Sequence, residues 1–285
     1  TDLARELLDG SITPEALVTA WRWADDGIDA MVKQVLPGPW SAARDLAAER
    51  HPGGGDAAAA DRRAIARELT DALAAAGAAL HASLVPVIQL DEPGLTTIGT
   101  DEAAWDEACQ VLSDVAERLP PIHRSLAITG GAAHPVAHAR LAALPFQGFL
   151  VDVVAGGADA WRLIHVLPPE IGVVVGAVDV VKPTADDPEM LVWAGTLAAE
   201  SNDRGHIRVG VSSAGSLAGL GRLAARRKVE QLGTAMVLGK LGPLSQVARA
   251  LKEDPATCHI GSLRRIYADH LAALAALGRS PEDAS

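Results

Sequence analysis

The sequence predicts an α/β protein built on a parallel sheet, and three observations predict it. Short Val/Ile/Leu runs alternate with longer amphipathic segments along most of the chain. Each run is followed within two residues by Gly, Pro, Asp or Ser, the pattern of a buried strand opening into a loop. Strand-like and helix-like segments also follow one another strictly, as in a sheet wound with crossover helices. Such a sheet is doubly wound or closed into a barrel. No Gly-x-Gly-x-x-Gly follows the first run, which disfavours a dinucleotide-binding domain.

The chain opens at Thr1 in a helix-like stretch, without an initiator Met. Thr13-Pro14-Glu15 supplies an N-cap, a proline at the first helical position and an acid in the first turn. Strands are read over 30–36, 85–90, 122–128, 149–154, 172–181 and 207–211. Ile65, Leu69, Leu73 and Leu80 line one face of a long helix after the loop Gly53-Gly54-Gly55. Trp105, Cys109, Leu112 and Val115 line a second helix, and Asp187-Pro188-Glu189 starts a third as Thr13 does. Near the C-terminus, Leu263, Ile266, Tyr267, Leu271, Leu274 and Leu277 form a stripe between Ser262, an N-cap, and Gly278, a stop. The expected division is one α/β domain over 1–235, with 236–285 as its helical C-terminal closure.

Composition narrows the function classes. The chain has 285 residues, the size of one α/β barrel or two small domains. Its 49% apolar content supports a sizeable core and excludes a disordered chain. With two Phe, one Tyr and six Trp, packing falls to Ala, Leu and Val. A net charge of −11 argues against a nucleic-acid or anionic-membrane partner. Two cysteines exclude a disulfide framework and a multi-cysteine zinc site. No apolar run approaches the roughly 20 residues that span a bilayer, and no signal-peptide pattern opens the chain, so a soluble cytoplasmic protein is expected.

One strand carries a more specific string, Val87-Ile88-Gln89-Leu90-Asp91-Glu92-Pro93. It resembles the catalytic barrel of the cobalamin-independent methionine synthases, in the methionine synthase/uroporphyrinogen decarboxylase-like superfamily. Flanking strings agree in order. Val32-Lys33-Gln34-Val35-Leu36-Pro37-Gly38-Pro39 is similar to that family's preceding strand, and Gly176-Ala177-Val178-Asp179 with Pro183 to a later one. Residues 209–215 stand where the family has Asn-Pro-Asp-Cys-Gly. The resemblance covers roughly 30–235 and implies a TIM-type (β/α)8 barrel with its site at the C-terminal strand ends. Six βα units are read here, so a pair of strands is expected to precede Thr1, in an upstream segment or another chain, and the barrel to be incomplete at its N-terminus.

The family holds a thiol-activating zinc on His, Cys, Glu and Cys. The corresponding places here are Ser125, Ala127, Val154 and Ala214, and Val181 stands where the family has a catalytic His. The resemblance therefore implies that zinc is not expected and that zinc–thiolate activation is lost, since a free thiol titrates near ~8.5. Asp91 is retained; in the family its counterpart holds the substrate ammonium. Glu92 and Pro93 shape the following loop, with Glu92, Ser125, Ser213 and Gly215 as further substrate-binding candidates. Asp179 and Lys182 complete the catalytic candidates with Asp91.

Other features have blander readings beside the sharp ones. His134 and His138 share an i,i+4 spacing that can hold a metal, but Pro135 marks His134 as the residue before a helix start, and His123 lies inside a strand. Gly210, Gly215, Gly219 and Gly221, with Ser212, Ser213 and Ser216, form a loop that could cradle phosphate ahead of Arg222, Arg226, Arg227 and Lys228. A tight turn with a solvated basic face is the reading those residues favour. Cys258-His259 is an isolated pair. No Gly-x-Ser-x-Gly elbow supports a serine nucleophile.

The function expected is methyl or one-carbon transfer from a folate-like or corrinoid donor to an amino-acid-like acceptor. The alternatives are a non-catalytic small-molecule-binding or partner subunit on the same scaffold, and a phosphate-substrate lyase or transferase using the 210–221 loop. A partner chain or a homo-oligomer would complete the barrel.

Overall fold

The computed structural model describes residues 2–239, and six strands alternate with helices along them. The described chain divides into two compact units, the first formed by residues 2–128 and 136–149, the second by 129–135 and 150–239. The stripe at 262–278 and the pair Cys258-His259 lie outside the described residues. The expected boundary at 235/236 falls inside a helix, Arg222–Gly239.

In the first unit, α1 (Asp2–Asp9) and α2 (Pro14–Asp25) precede β1 (Gln34–Pro37), α3 (Pro39–Arg50) and α4 (Gly55–Ala82). Next come β2 (Val87–Asp91), α5 (Glu102–Arg118), β3 (His123–Ile128) and α6 (His138–Ala142). The start of α2 is the one read from sequence: the Thr13 hydroxyl accepts from the Ala16 amide at 3.3 Å. Strands β1, β2 and β3 are parallel neighbours in that order, with Val35 opposite Gln89 and Gln89 opposite Ser125. Because side chains alternate along a strand, this register gives the sheet two unlike faces. Leu36, Ile88, Leu90 and Leu126 lie on one face and are buried. Helix α4 packs on that side closely enough that a Cβ at Gly77 would meet Ile88 at 3.7 Å. Ile65, Leu69, Leu73 and Leu80 are its buried stripe, as the periodicity predicts. In α5 the stripe is rotated slightly, with Ala108 buried and Cys109 only partly so. The opposite face carries Val35, Pro37, Val87, Gln89, Asp91, His123, Ser125 and Ala127.

Strand β4 (Gly148–Asp152) begins in the first unit and ends in the second. It is followed there by α7 (Val153–Val166), β5 (Gly172–Val178), α8 (Pro188–Glu200), β6 (Val209–Ser213) and α9 (Arg222–Gly239). β5 and β6 pair in parallel with a bulge between Gly176 and Val178. Helix α8 starts at the expected Asp187 cap, which accepts from the Glu189 amide at 3.0 Å. Two strand ends, those of β4 and β5, differ from the sequence reading for one reason: a polar side chain ends the strand by capping the backbone amides just after it. Asp152 accepts from the amides of Val154 and Ala155, both at 2.9 Å, so Val153 and Val154 open α7 instead of extending β4. Asp179 does the same after β5, so Val180 and Val181 are loop. No helix among the described residues is long and apolar enough to cross a membrane.

Candidate functional site

The strongest site candidate lies at the C-terminal end of β2. Asp91 closes the strand on the polar face and is partly buried. It lines a cavity of about 280 Å³ together with Val35, Pro37, Gly38, Ser41 and Asp45. Its Oδ1 accepts from Nε2 of Gln89 at 2.7 Å, and Oε1 of the same amide accepts from Nζ of Lys33. The amide orientation is forced by chemistry, since an ammonium only donates and a carboxylate only accepts. Burial raises the pKa of Asp91, opposed by the Gln89 hydrogen bond and the charge of Lys33. Desolvation lowers that of Lys33, opposed by Asp91. Sequence reasoning gives Lys33 and Gln89 no role. The available signal is Gln89 itself, a polar residue inside the apolar run 85–90 and two positions before Asp91, hence on its face.

Glu92 goes the other way. It is fully buried, and its carboxylate accepts from the amides of Trp40 and Ser41 at 2.9 and 2.8 Å and from the Ser41 hydroxyl at 2.5 Å. The Ser41 hydroxyl in turn accepts from the Gly94 amide at 2.7 Å. Trp40 and Ser41 stand in the first turn of α3, where the helix has unpaired donors and a positive dipole end. Gly38 is required at this crossing, because a Cβ there would stand 2.2 Å from the Glu92 carboxyl carbon. Burial still dominates and pushes the Glu92 pKa up to about 7. Both oxygens of this substrate-binding candidate are therefore taken by protein donors, and its role in the fold is to anchor α3 beside the cavity.

The remaining candidates fall in different places. Ser125 is 6% exposed and neighbours Gln89 in register on the polar face. In the second unit, Oδ1 of Asp179 accepts from the Val181 and Lys182 amides at 2.8 and 3.1 Å. Its ion pair with Lys182 is 3.9 Å long, and the Lys182 side chain is 76% exposed. The Asp179 amide donates to Asp186, whose other oxygen is 2.8 Å from Nζ of Lys228. Lys228 also donates to the Thr184 carbonyl, so this lysine of the expected basic face is buried and paired. Arg226 pairs with Glu230 at 2.8 Å. In the 210–221 loop, Ser212 donates to the Ser213 carbonyl, the Ser216 hydroxyl caps the Ala218 amide, and Gly215 packs beside Val180 and Thr129. The polar groups available to a phosphate are correspondingly fewer than the sequence implied.

The four places given to zinc ligands by resemblance hold a hydroxyl and three aliphatic groups. Ala127 is completely buried, Ala214 nearly so, and Val154 sits in the first turn of α7. Such side chains do not fit a zinc ion, which takes thiolate, imidazole or carboxylate donors. Among the described residues no three His, Cys, Asp or Glu side chains are grouped so as to hold a metal ion. His134 precedes a short 3₁₀ turn, and His138 begins α6 and is buried. Burial pushes the Cys109 thiol up to about 11, far from the thiolate a nucleophile requires.

No protein-family model matches the chain, and no curated protein matches it significantly. Solved structures do. A B12-independent methionine synthase from Shewanella, in complex with selenomethionine, aligns with a TM-score of 0.62 at 17% identity, over 79% of this chain and 67% of that one. A Listeria monocytogenes protein assigned as a vitamin-B12-independent methionine synthase gives 0.54 at 16% identity, over 80% and 68%. A methyltransferase from Methanosarcina mazei gives 0.55 at 17%, over 78% of this chain and 63% of that one. The chain thus shares the α/β-barrel fold of methionine-synthase-like proteins, as its strings suggested.

Proposed function

We propose that this chain is a methionine-synthase-like methyl or one-carbon transferase acting on an amino-acid-like acceptor, without zinc–thiolate activation. A single observation carries the reading: Asp91, at the end of a barrel-type strand, faces a cavity with a carboxylate that only one protein donor occupies among the described residues. A substrate ammonium is the complementary group, since a charge-assisted bond to a partly desolvated carboxylate is stronger than one between neutral groups. The Shewanella neighbour is bound to selenomethionine, an amino acid, which supports the same ligand class. A folate-like or corrinoid donor would supply the methyl group. Around it this chain would hold the acceptor's ammonium on Asp91, keep Asp91 oriented through Gln89, and keep the loop in place through Glu92.

Calorimetric titration with L-methionine tests the reading. Asp91→Asn is expected to weaken binding at least about tenfold, the loss of one charged hydrogen bond. In the unsubstituted protein, affinity is expected to fall as acid protonates Asp91, beginning above the ordinary carboxylate range because burial raises this pKa. An Asp91→Asn protein that binds as tightly as its parent would overturn the assignment.

A further inference from the structure

The charges around Asp91 are arranged unusually. Lys33 and Asp91 attract one another, yet neither forms a direct ion pair among the described residues. Gln89, only 5% exposed, stands between them and bonds both. One buried amide therefore holds an ammonium and a carboxylate apart on the same face of the sheet. Lys33 has three donors, and the structure gives one of them a protein acceptor, Oε1 of Gln89. Among the described residues no second protein acceptor meets its ammonium, which leaves the other donors for a ligand. A positive and a negative group fixed at a short separation complement a molecule that carries both charges on one carbon, as an α-amino acid does.

From this juxtaposition we propose that Lys33 is a specificity-determining residue that receives the acceptor's carboxylate, so that the site selects α-amino-acid zwitterions over simple amines. The inference rests on the ammonium role given to Asp91 above and extends it. Gln89 is the positioning residue. Its amide prevents Lys33 and Asp91 from collapsing into a salt bridge that would satisfy both and leave nothing for a ligand. No bond is made or broken in this step; it is recognition.

The test compares L-methionine with 3-(methylthio)propylamine, which keeps the ammonium and thioether and lacks the carboxylate. The unsubstituted protein is expected to bind methionine about tenfold or more tightly than the amine, the scale of one charged hydrogen bond. Lys33→Met should abolish that preference by weakening methionine binding alone, while Lys33→Arg should retain most of it. Because Lys33 is exposed, both variants are expected to fold, as circular dichroism would verify. If the unsubstituted protein binds the two ligands equally, or Lys33→Met keeps the preference, the role of Lys33 is overturned while that of Asp91 stands. If neither ligand binds, or Asp91→Asn leaves amine binding unchanged, the Asp91 reading is overturned and this one with it.

Discussion

Two lysine–aspartate arrangements, one in each unit, show what separates structure from recognition here. Lys228 and Asp186 meet directly at 2.8 Å, with side chains 1% and 5% exposed. Lys228 also donates to the Thr184 carbonyl, and the other carboxylate oxygen of Asp186 accepts from the Asp179 amide, so each side chain has two protein partners. Lys33 and Asp91 instead share an intervening amide and keep access to solvent or to a cavity. The first set is buried and directly paired, and it fastens the loop after β5 to α9. The second is incomplete, and its unused donors and acceptor lines are what a ligand would engage.

Substitution of the two lysines should break the comparison or sharpen it. Lys228→Met leaves Asp186 buried without its cation and is expected to cost about 3–5 kcal/mol of stability in urea unfolding. The same substitution at Lys33 should change stability by less than about 0.5 kcal/mol. Equal losses at the two positions would mean that Lys33 is as structural as Lys228.

A smaller effect concerns Glu92 and pH. Its folded pKa of about 7 lies above its ordinary value of 4.5, so between these limits the folded protein binds more protons than the unfolded chain. The contribution of Glu92 to stability is therefore full below the unfolded value and is lost as pH rises through about 7. Unfolding curves from about pH 4 to about pH 8 should show that decline, and Glu92→Gln should flatten it. A slope unchanged by the substitution would assign the decline to other groups.

The smallest change is expected at Asp179. Its carboxylate turns the loop by accepting the Val181 and Lys182 amides, and an asparagine keeps an acceptor there. Asp179→Asn should lower stability by less than about 1 kcal/mol and leave methionine affinity unaltered. A tenfold loss of affinity would return Asp179 to the site.

Much of this fold is legible because its causes are local. The Thr13 and Asp187 caps, the α4 stripe and the alternation of strands with helices each depend on residues within a few positions of one another. Helix α3 is not legible in that way. Trp40, Ser41, Ala42, Ala43, Leu46 and Ala47 are all buried, so its apolar residues do not recur at a helical period, and its N-terminus is held by Glu92 from far along the chain. Sequence reading misplaces the ends of β4 and β5 because Asp152 and Asp179 look alike whether they cap a backbone or face a ligand.

The sequence by itself determined that acids would stand at two strand ends, Asp91 and Asp179, and that Asp91 and Glu92 would be adjacent. Only the tertiary structure decided their fates. Adjacent residues leave a strand end in opposite directions, so one carboxylate faces a cavity and its neighbour faces a helix end. Likewise Lys33 and Lys228 are equal charges in the sequence, and their partners come from strands and loops brought together by packing. Local pattern fixes where a charge is carried; long-range contacts fix whether anything in the protein neutralises it.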